Sequence, residues 1–85
     1  MEKYCGTYQE QNGDKECTVR ILNGNLVCDL LWPDIRLIPS DKNEDYFNLE
    51  SFPICIKFRK NQEGLIKEFS LSGREDLEDR VLYRV

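Results

Sequence analysis

The chain has 85 residues, 12 Lys and Arg against 16 Asp and Glu, no His, and a net charge of −4. That length is room for one domain spanning residues 1–85, and a hydrophobic content of 40% with 33% mixed-sign charge suits a folded core rather than a disordered chain. The densest basic stretch, Lys57, Arg59 and Lys60, is too small to track a phosphate backbone, so nucleic acid is excluded as a partner. No apolar run approaches the ~20 residues of a membrane span. The opening Met1 to Gly6 lacks the apolar centre of a secretory signal.

Apolar residues alternate at period two along most of the chain, and no segment sustains a helical period. The pattern predicts eight strands, at about 3–9, 15–22, 25–31, 35–39, 45–50, 53–60, 64–71 and 79–85. Asn12-Gly13 and Asn23-Gly24 are two-residue hairpin turns by composition, since both residue types tolerate the positive φ of a type I′ turn. Counting outward from them opposes Tyr8 to Cys17, Gly6 to Val19 and Tyr4 to Ile21. The second turn opposes Ile21 to Leu26, Val19 to Cys28 and Cys17 to Leu30. Both turns place Cys17, Val19 and Ile21 on one apolar face, and a one-residue slip in either would turn that face to water.

Further along, Ile54, Ile56 and Phe58 alternate with Cys55, Lys57 and Arg59. A four-residue loop at 61–64 would oppose Lys57 to Glu68. Ile66 is out of phase with Phe69 and Leu71, which predicts a bulge. Val81, Tyr83 and Val85 alternate with Arg80, Leu82 and Arg84, and the segment 74–79 reads as a helical turn or loop. Eight short consecutive strands predict an all-β, small eight-stranded antiparallel up-and-down barrel, because closure removes exposed edges. Its expected lining is Tyr4, Tyr8, Val19, Leu26, Phe58 and Tyr83.

Several features in order resemble a known accessory domain: Tyr4-Cys5-Gly6-Thr7-Tyr8, Thr18-Val19-Arg20-Ile21, Gly24-Asn25-Leu26, Leu37-Ile38-Pro39, Phe47, Ile54 to Phe58, Gly64 to Leu71, Gly73 and the closing Arg84-Val85. This is the lipocalin-like β-barrel domain found C-terminal to serine hydrolases of the β-lactamase and penicillin-binding class. The resemblance implies a barrel without assigned activity, joined to a catalytic domain and often periplasmic or extracellular. Four cysteines and a length of 85 residues depart from that pattern.

Candidate chemistry is sparse. With no His, the commonest general base is missing, and neither Gly-x-Ser-x-Gly nor Ser-x-x-Lys occurs. Tyr46-Phe47-Asn48 echoes a Tyr-x-Asn element of penicillin-binding hydrolases without its nucleophile. Asp41-x-Asn43-x-Asp45 starts like an EF-hand loop, but Tyr46 stands where Gly is required and Phe52 where the closing Glu is. The carboxylates at 41, 44 and 45 and at 75, 76, 78 and 79 read as solvated loop residues. Cys5, Cys17, Cys28 and Cys55 contain no Cys-x-x-Cys, so small core thiols are favoured over disulfides or zinc, with Cys5 facing outward. No cofactor is implied.

Val27, Leu31 and Ile38, with Trp32 in the adjoining loop, form a candidate outward apolar patch for a partner. The reading that follows is a non-catalytic accessory or interaction barrel, packing on a hydrolase domain of its parent chain or on a second copy. The alternative is a lipocalin-type carrier holding a small apolar ligand inside the barrel.

Overall fold

A computed structural model describes residues 2–11, 13–41, 43–74, 78 and 80–85. A short 3-10 helix, Glu2–Tyr4, precedes eight strands: β1 Gly6–Glu10, β2 Glu16–Leu22, β3 Asn25–Cys28, β4 Ile35–Pro39, β5 Tyr46–Leu49, β6 Cys55–Lys60, β7 Ile66–Ser72 and β8 Val81–Arg84. Each strand pairs antiparallel with the next, and β8 pairs with β1 to close the barrel. The all-β, eight-stranded antiparallel barrel expected from the alternation is therefore the fold.

The first two hairpins have the expected register. Gly6 pairs with Val19 and Tyr8 with Cys17, and Val19 pairs with Cys28 and Ile21 with Leu26. Asn23 and Gly24 both take positive φ, at 52° and 80°, as a type I′ turn requires. Asn12 of the first turn lies outside the described residues. Tyr4 departs from expectation: it belongs to the 3-10 helix rather than to β1, so it does not face Ile21 across a ladder. Ile21, near the end of β2, is exposed although it shares the phase of Cys17 and Val19. Leu30 lies beyond the end of β3 and packs half-buried against the core.

The bulge expected near Ile66 is present. Arg59 pairs with Glu68 while Lys60 pairs with Ile66, so Lys67 is the extra residue on β7. This shift moves Glu68 away from Lys57, which pairs with Ser70, and gives it Arg59 as an ion-pair partner at 3.8 Å. The expected Lys57–Glu68 pair fails on two counts: the turn closes one residue tighter, with Asn61 N–H on Leu65 O, and the bulge adds a second residue of offset. The described residues of segment 74–79 add no helix, and Glu75, Asp76, Leu77 and Asp79 lie outside them.

The inward faces supply the core: Tyr8, Cys17, Val19, Leu26, Cys28, Ile35, Leu37, Phe47, Leu49, Ile54, Ile56, Phe58, Ile66, Phe69, Leu71 and Leu82, joined by Tyr4. Five aromatic rings run through it. Phe58 lies at its centre, with ring centroids 4.6 Å from Tyr4, 5.6 Å from Phe47, 5.5 Å from Phe69 and 6.0 Å from Tyr8. Edge and tilted contacts of this kind add about 0.5–1.5 kcal/mol per pair beyond the area they bury.

At the barrel end opposite the 3-10 helix, the β7–β8 connection crosses close to the β5–β6 loop. Gly73 has φ of 100°, and a Cβ there would stand 2.2 Å from the Pro53 carbonyl oxygen. Replacing Gly73 by Ala is expected to destabilise the fold by more than ~2 kcal/mol, since backbone strain and a backbone clash combine. Urea unfolding of Gly73→Ala against Gly24→Ala checks this, because Gly24 also has positive φ but nothing within 4 Å.

Candidate functional site

Two places gather polar and aromatic groups: the end of the barrel closed by the N-terminal 3-10 helix, and the outer wall. At the closed end, the starts of β1, β5 and β7 meet the ends of β6 and β8. Gly6 opens β1 with φ of 151°, and a Cβ at that position would stand 2.9 Å from Arg84 Nε. The missing side chain is what lets Arg84 fold inward. Its Nη2 donates to Cys5 O at 2.5 Å, and its Nη1 donates to Ile66 O at 3.0 Å and Lys3 O at 3.4 Å. One guanidinium thus ties β8, β7 and the N-terminal segment together, using its fork of fixed donors.

Tyr8 and Tyr4 complete this end. The Tyr8 hydroxyl donates to Tyr4 O at 2.8 Å, and the Tyr4 hydroxyl donates to Asp45 Oδ1 at 2.7 Å and lies 3.2 Å from Glu44 O. Tyr4 packs edge-on to Phe47 at 5.1 Å. Burial raises the Tyr4 hydroxyl well above its ordinary range, and Asp45 raises it further through a hydrogen bond and its charge. Burial likewise pushes Tyr8 up to about 12, partly offset by the Arg84 charge. Around the rim, Glu44 bridges Lys60 at 3.1 Å and Lys3 at 3.6 Å. The Lys60 bond holds the Glu44 carboxyl below its ordinary value.

Clefts indent the outer wall, three of them lined by described residues. One of 490 Å³ lies along Gln9, Glu10, Gln11, Tyr83 and Val85, and a second of 310 Å³ beside Arg20, Asp29 and Asp34. The third, of 350 Å³, runs over Tyr46, Asn48, Cys55 and Ser72. In the second, Arg20 ion-pairs with Asp34, and the Thr18 amide donates to Asp29 Oδ1 at 2.7 Å, so its charges are satisfied within the chain. In the third, the Cys55 thiol donates to Asn48 Oδ1 at 3.0 Å.

Of the expected lining, Tyr4, Tyr8, Val19, Leu26 and Phe58 are buried, and Tyr83 is not. Tyr83 is 41% exposed while Leu82 is fully enclosed. Leu82 and Arg84 therefore share the inward phase of β8, opposite to the apolar alternation, while Arg80, just before the strand, is exposed. Arg84 is tolerated there because it lies at the barrel end, where it meets carbonyls, and Arg80 pairs with Glu10 at 3.2 Å.

The expected outward patch is not continuous. Val27 is only 4% exposed; it sits on the outer face between Arg20 and Arg36, its cross-strand neighbours, each of them ion-paired. Leu31 follows the end of β3 and turns against the core rather than outward. Trp32, at 62% exposure, and Ile38, at 38%, remain open.

No disulfide joins the four cysteines: Cys17 and Cys28 are buried on adjacent strands, Cys5 and Cys55 half-buried. The hydrogen bond between the two buried thiols, together with burial, pushes Cys17 far above the ordinary thiol range. Among the described residues no group of three or more Cys, Asp or Glu could hold a metal ion, and no helix is long and apolar enough to cross a membrane. Comparison with protein-family models, curated proteins and solved structures finds no match.

Two outcomes follow from the closed end. Arg84→Met keeps much of the stem but leaves Cys5 O and Ile66 O without their donor, and is expected to cost about 2–3 kcal/mol in urea unfolding. The second concerns alkali. Folding holds the proton on Tyr8 above the ordinary value of 10.0 and up to about 12. Above pH 10 the unfolded chain therefore binds fewer protons than the folded one, and stability falls as pH rises through that window. Thermal melts between pH 8 and 12 are expected to show the loss beginning near pH 10, and Tyr8→Phe to reduce its slope.

Proposed function

We propose that this chain is a non-catalytic accessory or interaction barrel whose outer wall is its working surface. The observation that carries the reading is the filled interior. Rings of Tyr4, Tyr8, Phe47, Phe58 and Phe69 meet centroid to centroid at 4.6 to 6.0 Å, in the space a carried ligand would need. This weighs against the lipocalin-type carrier and leaves the wall for recognition. The sequence adds no His and no nucleophile motif.

The resemblance to the lipocalin-like domains beside serine hydrolases of the β-lactamase class points to a hydrolase domain as partner, with a second copy as the other. The β8 stripe supports a wall contact. Tyr83 and Val85 are both exposed and line the largest of the three clefts, and Trp32 is exposed in the β3–β4 loop. Aromatic residues standing in water in this way are enriched where proteins meet.

Light scattering across a concentration series, alone and with a penicillin-binding-class hydrolase domain, tests the reading. Association is expected with one of the two, weakened at least tenfold by Tyr83→Glu or Trp32→Glu without loss of the folded spectrum. Absence of association with both, or association indifferent to both substitutions, would overturn it.

A further inference from the structure

We propose that the cleft on the outer wall over β5, β6 and β7 is a binding site for a neutral saccharide ring. The inference goes beyond the accessory reading and does not depend on it, because the site shares no residue with the Tyr83 and Trp32 surface.

Strand register builds the floor of the cleft. Asn48 pairs with Cys55, and Cys55 with Ser72, so three polar side chains stand side by side in one row across three strands. Their neighbours along the strands, Phe47, Leu49, Ile54, Ile56 and Leu71, fill the core, and the alternation holds the polar row outward. The next row is Tyr46, Lys57 and Ser70, with Lys57 Nζ 5.1 Å from the centroid of the Tyr46 ring. Ser40 and Asp41, from the β4–β5 connection, border the cleft, and the Ser40 N–H donates to Tyr46 O at 2.9 Å. A volume of 350 Å³ stands at the small end of the range that ligand pockets occupy, so the cleft suits one ring or two.

The lining offers donors and acceptors together. Asn48 Oδ1 accepts from the Cys55 thiol at 3.0 Å, which orients the amide and leaves both hydrogens of its Nδ2 for another acceptor. Among the described residues no hydrogen bond engages the Ser72 hydroxyl, the Tyr46 hydroxyl or the Asp41 carboxylate. An apolar ligand would strip water from these groups without replacing its hydrogen bonds. An anion would meet the Asp41 carboxylate and no cation in the lining, since Lys57 stands over the Tyr46 ring. A cation would find a single exposed carboxylate, which water screens. A saccharide ring carries neutral hydroxyls that both donate and accept, and C–H surface for the Tyr46 ring. It matches every part of the lining with the barrel as it stands.

The probes are the methyl β-glycosides of glucose, galactose, mannose and N-acetylglucosamine, each titrated at millimolar concentration into isotope-labelled protein and followed by NMR. Cyclohexanol, which lacks the other hydroxyls, and methyl β-glucuronide, which adds a charge, are the controls. At least one of the four glycosides is expected to give saturable shifts of the Asn48 side-chain amide and of the Cys55 and Ser72 backbone amides. It is expected to bind at least fivefold more tightly than either control. Asn48→Asp keeps an acceptor for the Cys55 thiol and removes the amide donors, and is expected to weaken binding at least fivefold. Ser72→Ala is expected to weaken it at least twofold, and serves alone should Asn48→Asp lose the dispersed spectrum of the fold. Tyr83→Glu is expected to leave it unchanged, which separates this site from the protein-contact surface. No saturable shift at these amides with any of the four would overturn the proposal. So would equal binding of a control, or binding that survives both Asn48→Asp and Ser72→Ala.

Discussion

The inward fold of Arg84 onto three backbone carbonyls is the interaction on which the closed barrel depends. A meander of eight strands has two free edges until β8 meets β1, and the strand that closes it here carries an arginine, Arg84, on its inward phase. A charge facing a core is costly unless donors and acceptors are matched. Arg84 is matched by Cys5 O, Ile66 O and Lys3 O, and Gly6 provides the room by having no side chain. Closure of the sheet, anchoring of the N-terminal segment and placement of Tyr4 over the aromatic core are thus one arrangement.

That arrangement constrains function through volume. With short strands and five aromatic rings, the interior is occupied by the chain's own side chains, as expected for a barrel of eight strands. Among the described residues no buried polar side-chain atom lacks a partner, so the interior presents no unused chemical handle. The groups left to engage another molecule are on the wall.

Much of the fold was legible in the sequence because turn chemistry and alternation agreed. Asn23-Gly24 fixed the β2–β3 register, and the same inward face followed from the β1–β2 pairing. The phase break at Ile66 announced the bulge at Lys67, although the pairing of Glu68 needed both the bulge and the Asn61–Leu65 turn to be counted. Alternation misled at β8, where Val81, Tyr83 and Val85 form the more apolar set yet face outward around Leu82. Period-two patterns report hydrophobicity along a strand and are blind to carbonyls that meet an arginine at a barrel end. A signal was present in Gly6, which stands two residues before Tyr8, the partner of Arg84, but its meaning required the closed sheet. The outward patch failed for a related reason. Strand β3 stops at Cys28, so Leu31 is not on the wall, and Val27 is flanked by two ion-paired arginines. Tyr4 was rightly placed in the core but on the wrong element, since a three-residue helix leaves no periodicity to read.

Strand β8 closes the barrel with Leu82 inside and Arg84 at its end, over the carbonyls of Cys5 and Ile66. Nuclear Overhauser contacts of the Leu82 methyl groups test it most directly. Contacts are expected from those methyls to the Phe69 ring, with which Leu82 pairs, together with a Tyr83 ring that stands outside beside its cross-strand neighbours Gln9 and Glu68. Contacts from the Tyr83 ring to Phe58 or Phe69, with the Leu82 methyls in solvent, would contradict it.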